Sequence, residues 1–306
     1  MFWAHKKYNI LSPYLRSKYD GMRVGKICID GGFTCPNRDG TCGVGGCIFC
    51  GERGAGEHID GTASIEAQAR AFLASPSAEK AGVYAAYFQN FTNTYAPVDV
   101  LRERYSATLI DDRIKILAVG TRPDCIDEER AKLLGEFNKT HDVWCELGLQ
   151  TSNDKTAERF NRGYPTSRFT EAVKLLDEQG IEIIAHIIIG LPGEAEADVY
   201  NTVDFVNSHP VKGIKLHSLY VTKDTELAEM YRRGKYKPLE MDEYIRIAAG
   251  AICRVRPDII FHRVTGDAPH ELLIAPMWNL EKNKVVTLID KYMSDNGLYQ
   301  GCLYKE

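Results

Sequence analysis

The sequence predicts an α/β protein built on a parallel sheet, and three observations carry that class. Six short apolar runs rich in Val and Ile recur at 24–29, 83–88, 114–119, 143–149, 181–189 and 214–220. Near-continuous runs of this kind belong to strands buried on both faces. Amphipathic helical patterns fall between them, at 64–73, 98–110, 128–137, 168–179 and 196–206. Such alternation is the mark of βα units, closed into a parallel barrel or left open as a doubly wound sheet.

Each element has local signals. Pro97 beside Ala96, Asp127 before Glu128 and Ser167 before Arg168 mark helix starts. Gly180 after Gln179 marks a helix stop. After about Thr222 the alternation ends, leaving helices at 226–233, 242–255 and 281–292 and a strand at 259–264. The chain therefore divides into an N-terminal basic and aromatic arm (1–23), a core (24–222) and an α+β extension (223–306).

Charge and length exclude several classes. Across 306 residues, 38 basic groups face 42 acidic ones, and a net charge of −4 does not describe a general polyanion binder. The arm is different: Lys6, Lys7, Arg16, Lys18, Arg23 and Lys26 face Asp20 alone within residues 1–26. No apolar run approaches the roughly 18–20 residues of a spanning helix, since 181–192 is broken by Glu182, His186 and Gly190. The first ten residues hold no signal-peptide core, so the expectation is a cytoplasmic protein with no membrane contact.

Nine cysteines, five of them between Cys28 and Cys50, point to metal ligation rather than disulfides. Cys35, Cys47 and Cys50, with Cys42, lie in GGFTCPNRDGTCGVGGCIFCGERG, a 24-residue window with eight glycines. Three readings compete: incidental thiols, a closed four-cysteine zinc or iron–sulfur site, and a three-cysteine site with one open metal position. Cys28, Cys145 and Cys253 read as small core residues, and Cys125 and Cys302 stand alone. Parallel α/β folds carry their chemistry at the carboxyl ends of the strands, where the remaining polar residues collect. No Walker-type loop is present, so a nucleotide-phosphate site is poorly supported.

At Cys47-Ile48-Phe49-Cys50 the sequence resembles the radical S-adenosylmethionine (SAM) enzymes. Cys35, twelve residues before Cys47, resembles the lengthened loop of the branch that includes the elongator catalytic subunit. GGFTCPNRDGT with YFQNFTNTYAP, GTRPDC, ELGLQT, HIIIGLPGE and GIKLHSLYV resembles the YhcC/YtqA-type subfamily of that branch. The resemblance implies a partial (β/α)6 TIM-type barrel of the radical SAM type. It also implies a 4Fe–4S cluster on Cys35, Cys47 and Cys50, SAM on the open iron, and an electron donor such as flavodoxin or ferredoxin.

It further implies cofactor contacts. Gln150 and His186 occupy ribose-binding positions, and Arg162 resembles an arginine that pairs with the methionyl carboxylate. Gln89, Thr92 and Asn93 replace a loop that contacts the cofactor amine. Thr121, Arg122 and Asp124 resemble an ETRPD element in which Gly120 stands for the glutamate. Gly190, with Pro192 and Gly193, lets backbone approach adenine. The bland alternatives are a core amide for Gln150, a structural histidine for His186 and a salt bridge for Arg162.

For the substrate, the branch implies the wobble uridine of tRNA. The segment after the barrel does not resemble an acetyltransferase domain, so trimming or rearranging an existing C5 substituent fits better than the elongator reaction. Phe2, Trp3, Tyr8, Tyr14 and Tyr19 interleave with the basic arm, and Arg232, Arg233, Lys235 and Lys237 form a second basic run. Both patterns are footprints of nucleic-acid binding, with a packed arm or a solvated face as the alternative. Tyr95, Arg263 and Asp267 are the groups expected near the base, an internal Arg263–Asp267 salt bridge being the other reading. The competing function classes are a radical enzyme acting on a small metabolite or peptide and a non-catalytic iron–sulfur or zinc protein using Cys42.

Overall fold

The computed structural model describes residues 5–54, 59 and 61–305. In chain order its elements are α1 (Leu11–Lys18), β1 (Val24–Ile29), α2 (Ile65–Leu73), β2 (Val83–Phe88), α3 (Val98–Ser106), β3 (Ile114–Thr121), α4 (Glu128–Phe137) and β4 (Asp142–Gln150). They continue with α5 (Asp154–Arg159), α6 (Ser167–Asp177), β5 (Glu182–Ile189), α7 (Glu196–Asn207), β6 (Gly213–Ser218), β7 (Val221–Thr222), α8 (Glu226–Arg232), α9 (Met241–Arg254), β8 (Ile260–Arg263), β9 (Leu273–Ala275) and α10 (Lys282–Asp295). The main sheet runs β1-β2-β3-β4-β5-β6-β8, parallel throughout.

Of the helix-start signals, Asp127 is a side-chain cap, its carboxylate accepting from Arg130 N–H, whereas Pro97 and Ser167 stand at the starts of α3 and α6 without a side-chain cap bond; Gly180 lies just past α6 at φ +67. One expectation changes. The strand placed in the C-terminal extension, outside six barrel strands, is β8, and it pairs with β6 as a seventh sheet strand (Gly213↔Ile260, Ile214↔Phe261). α8 and α9 form its crossover, and α9 packs on α7, β5 and α10.

The sheet curls into a half-barrel. β2 and β6 are four strands apart, about 19 Å in a flat sheet at about 4.8 Å per step. Yet Lys215 Nζ on β6 lies 3.3 Å from the Tyr87 hydroxyl on β2. One face of the strands, through Ile27, Leu117, Val143, Ile183 and Leu216, packs under the helices. The concave face carries Ala85, Tyr87, Ile116, Ala118, Trp144 and Ile184, with Leu15 of α1 packed against it.

α1 closes the amino-terminal end of this trough, so much of the arm expected to meet tRNA is packed against the sheet, while Arg16 and Arg23 stay exposed. Lys18 Nζ lies 3.0 Å from Asp142 and 2.7 Å from Glu182, the first residues of β4 and β5. Tyr14 donates to Glu182 at 3.0 Å and Tyr19 donates to Asp142. Tyr8 is buried edge-on to Phe261, and Lys6 pairs with Asp290 at 3.6 Å. These aromatic and basic groups build a plug at the end opposite the cysteine loop. Phe2 and Trp3 lie outside the described residues. No helix of the described residues is long and apolar enough to cross a membrane.

Candidate cofactor and substrate site

The carboxyl end of β1 opens into the cysteine loop, which is tied down by the segment after α5. Asn37, fully buried, donates to the Asn161 carbonyl at 2.5 Å, while Asn161 Nδ2 donates to the Gly46 carbonyl at 2.7 Å. Gly46 N–H returns to the Asn37 carbonyl at 2.8 Å, and Ile48 N–H donates to the Phe160 carbonyl at 3.1 Å. Gly163, at φ +80, lets Asn37 approach: a Cβ there would sit 2.8 Å from Asn37 Oδ1. Arg38 clamps the far side, donating to the carbonyls of Cys50 and Gly51.

Cys35, Cys47 and Cys50 are half-buried, whereas Cys42 is exposed. Cys50 and Cys35 lie close enough to Cys47 to raise the cost of charging it. Burial first, then Cys50 and Cys35, pushes the Cys47 thiol up to about 12, against the lowering effect of Arg122. Arg122 Nη1 stands 3.9 Å from Cys35 Sγ and Asn37 Nδ2 stands 4.0 Å from Cys47 Sγ. Three soft sulfur donors, two of them with an N–H group near, are chemically suited to an iron–sulfur cluster, and among the described residues no three such side chains are already gathered around a metal position.

Other predicted groups are distributed around this loop. Thr92 N–H donates to the Thr34 carbonyl at 3.2 Å, and its buried hydroxyl has no partner among the described residues. Asn93, fully buried, donates to the Gly120 carbonyl at 2.7 Å, and Thr94 shares a 2.6 Å hydrogen bond with Thr121. Gln89 sits half-buried at the end of β2. Gln150 ends β4 at φ +62, its amide against the Tyr164 hydroxyl at 3.3 Å. Gly190 ends β5 at φ +97, its carbonyl accepting from Tyr236 at 2.9 Å. Beside it, Thr151 donates to Glu194, whose carboxyl is pushed up to about 7 by burial and by Asp198.

Two expected cofactor contacts are already committed. Arg162 is 1% exposed, and all five of its N–H donors are used. Nε donates to the Tyr164 carbonyl at 3.0 Å, Nη1 to the carbonyls of Leu149 and Thr151 at 2.8 and 2.7 Å, and Nη2 to Asp154 and Thr166 at 2.9 and 3.0 Å. No donor is left for a methionyl carboxylate. His186 turns to Glu146, with Nε2 at 3.0 Å from Oε2. On the substrate side, Tyr95 shares a 2.8 Å hydrogen bond with Thr41 of the cysteine loop. Arg263 and Asp267 pair with each other at 3.3 Å, and Lys282 joins Asp267 at 2.9 Å.

Sequence reading missed the cluster around Glu146. Glu146 is 3% exposed, and its Oε2 accepts from Tyr87 at 2.6 Å, from His186, and from Lys215. Gly120 makes the span possible. It lies opposite Glu146 on the strand between β2 and β4, and a Cβ there would sit 3.2 Å from the Phe88 carbonyl and 3.7 Å from the Tyr87 hydroxyl. The readable signal was Lys215 and His217 alternating with Ile214 and Leu216, a period of two that puts both on one face. Cys28 also departs from expectation. It is half-buried, beside Tyr87 in register, among the cations of the trough, whereas Cys145 and Cys253 are core residues.

This half-barrel with its cysteine loop defines a radical SAM protein. A model of the radical SAM superfamily matches residues 36–206, and a model of the Radical_SAM C-terminal domain matches 211–295. The chain belongs to this superfamily, whose proteins bind a 4Fe–4S cluster and SAM, and is an enzyme of radical SAM type. Within it the chain belongs to the Elp3-like branch and the YhcC/YtqA subfamily. It is 38% identical over 304 residues to Bacillus subtilis YtqA, covering 99% of this chain and 94% of that protein. It is 27% identical over 200 residues to a Methanocaldococcus jannaschii protein named tRNA uridine(34) acetyltransferase, covering 63% of this chain and 35% of that one. Methanocaldococcus infernus Elp3 shares the fold at a TM-score of 0.69 and 18% identity, over 90% of this chain and 64% of that chain.

Proposed function

We propose that this enzyme modifies the C5 side chain of the wobble uridine of tRNA, with Cys35, Cys47 and Cys50 as the cluster ligands and Cys42 outside the ligand set. The observation that carries the substrate is the likeness to a protein whose name specifies uridine 34 of tRNA. When bound, the cluster and SAM supply a one-electron cleavage that yields a hydrogen-abstracting deoxyadenosyl radical. The chain's own residues do the rest.

Asn37 and Arg122 steady the sulfurs, and Arg162 holds the end of β4 and the 161–164 segment on which the loop rests. Gln89, Thr92, Thr121, Gln150 and Gly190 stand at the carboxyl ends of four strands, where they hold SAM; the Thr121 hydroxyl acts from its bond to Thr94. Arg232, Arg233, Lys235 and Lys237 are exposed beside this mouth, because Leu227 N–H donates to the Ile48 carbonyl and Tyr236 donates to Gly190. That run, with Tyr95, is the tRNA-facing surface, and its affinity falls with salt. Flavodoxin or ferredoxin serves as electron donor.

Cys42→Ser is expected to keep about four irons per chain, measured after anaerobic reconstitution, while Cys47→Ser loses the cluster. Equal iron loss in both would reassign the ligands. The substrate is tested on tRNA from cells with and without the protein, digested and resolved nucleoside by nucleoside. A changed wobble-uridine profile is expected, and identical profiles would redirect the search to a small metabolite or peptide.

A further inference from the structure

We propose that the inner wall of the half-barrel is an anion-binding subsite, in which Lys26, Lys215, Arg263 and the unpartnered Nε2 of His217 hold a carboxylate or phosphate of the substrate. Resting on the tRNA reading, this group is a carboxylate on the C5 side chain or the phosphate of the same nucleotide.

Charge imbalance is the first argument. Lys26 Nζ and Lys215 Nζ lie 5.1 and 4.6 Å from the centroid of the same Tyr87 ring. Glu146 faces them, but Tyr87, His186 and Lys215 already converge on its Oε2. Asp267 is shared by Arg263 and Lys282. Four cations thus share two carboxylates. Lys215 is the deep member and Glu146 neutralises it, whereas Lys26 is exposed and Lys282 half-exposed at the rim, so the surplus positive charge faces the opening, where an incoming anion would meet it.

Solvation is the second. Burial pushes Lys215 down to about 8 and His217 well below the usual imidazole range, as in an interior. Yet the side chains of His186, Lys215 and Arg263 keep 22%, 12% and 25% exposure. Deep placement with residual solvent contact describes the wall of a cavity rather than a packed core. His217 Nε2 is buried without a hydrogen-bond partner among the described residues, although its ring lies 5.1 Å from that of His186. A buried ring nitrogen normally has a partner. The wall lies below the strand ends that carry Gln150 and Gly190, where an arm of a base held at the mouth would reach.

The test is calorimetric titration of the cluster-loaded full chain with uridine, 5-carboxymethyluridine, uridine 5′-monophosphate and succinate. At least one anionic nucleoside is expected to bind tenfold or more tightly than uridine, and which one gains separates the carboxylate from the phosphate. Lys215→Met should abolish the difference. Because that change also strands Glu146, Lys26→Met, which breaks no ion pair among the described residues, is the second variant and should reduce the difference at least threefold. Succinate binding that requires Lys26, with no nucleoside binding, would retain the anion site and overturn the tRNA reading. Absence of Lys26- or Lys215-dependent anion binding would overturn the subsite whatever the nucleoside profiles show.

Discussion

Arg162→Lys is expected to cost about 3–5 kcal/mol of stability, the range for breaking a buried charged network. Lysine carries a single ammonium with three donors and cannot reproduce the planar fork that serves five acceptors. The carbonyls of Leu149, Thr151 and Tyr164 would compete for what remains, and each buried acceptor left empty costs about 1–3 kcal/mol. Asp154 is half exposed and would rehydrate, so the loss comes mainly from the carbonyls. Urea denaturation of the apoprotein measures this without involving the cofactor. A cofactor-binding Arg162 would give the opposite pattern: near-normal stability with weakened SAM affinity.

Glu146→Gln is the second large effect, expected at about 3 kcal/mol, since removing one partner of a buried pair strands the other. Lys215, Tyr87 and His186 would converge on a neutral amide in place of a carboxylate, leaving the Lys215 charge without its counter-ion. The sign of the pH dependence follows from linkage. Lys215 and the His186 hydrogen bond offset burial and hold the Glu146 carboxyl well below its ordinary 4.5. A depressed carboxyl contributes stability that is fully present above 4.5 and lost as pH falls through its folded value. Denaturation midpoints of wild type and variant should therefore differ most near neutrality and converge progressively below pH 4.5. A constant gap down to pH 2 would contradict the charged pair.

Much of this fold was readable. The limits of β2 follow directly from VYAAYF, because an apolar strand buried on both faces leaves few alternatives, and those of β1 follow from VGKICI although only its Ile27 and Ile29 are buried. Two helices were not. α1 is short and carries Pro13, and α5 spans six residues, too few to show a period. β8 was seen as a strand but not as a sheet partner, since pairing depends on how α8 and α9 return the chain.

The site divides in the same way. The loop itself was legible from its glycines and clustered thiols, whereas the choice of Cys35, Cys47 and Cys50 over Cys42 rests on the family resemblance. Arg162 was misjudged because sequence shows a guanidinium but not which carbonyls surround it. The Glu146 cluster required the curl of the sheet, which brings Tyr87 and Lys215 together from strands that a flat sheet holds far apart. Sequence also could not show that α1 turns the basic arm toward Asp142 and Glu182, away from the mouth.

The central claim is most directly tested by following 5′-deoxyadenosine after anaerobic reconstitution, with SAM, dithionite and tRNA lacking or carrying partial wobble modification. Formation that rises with tRNA of one modification state, persists in Cys42→Ser and disappears in Cys35→Ser is the predicted result. Deoxyadenosine formation indifferent to tRNA, or lost when Cys42 is replaced, would contradict it.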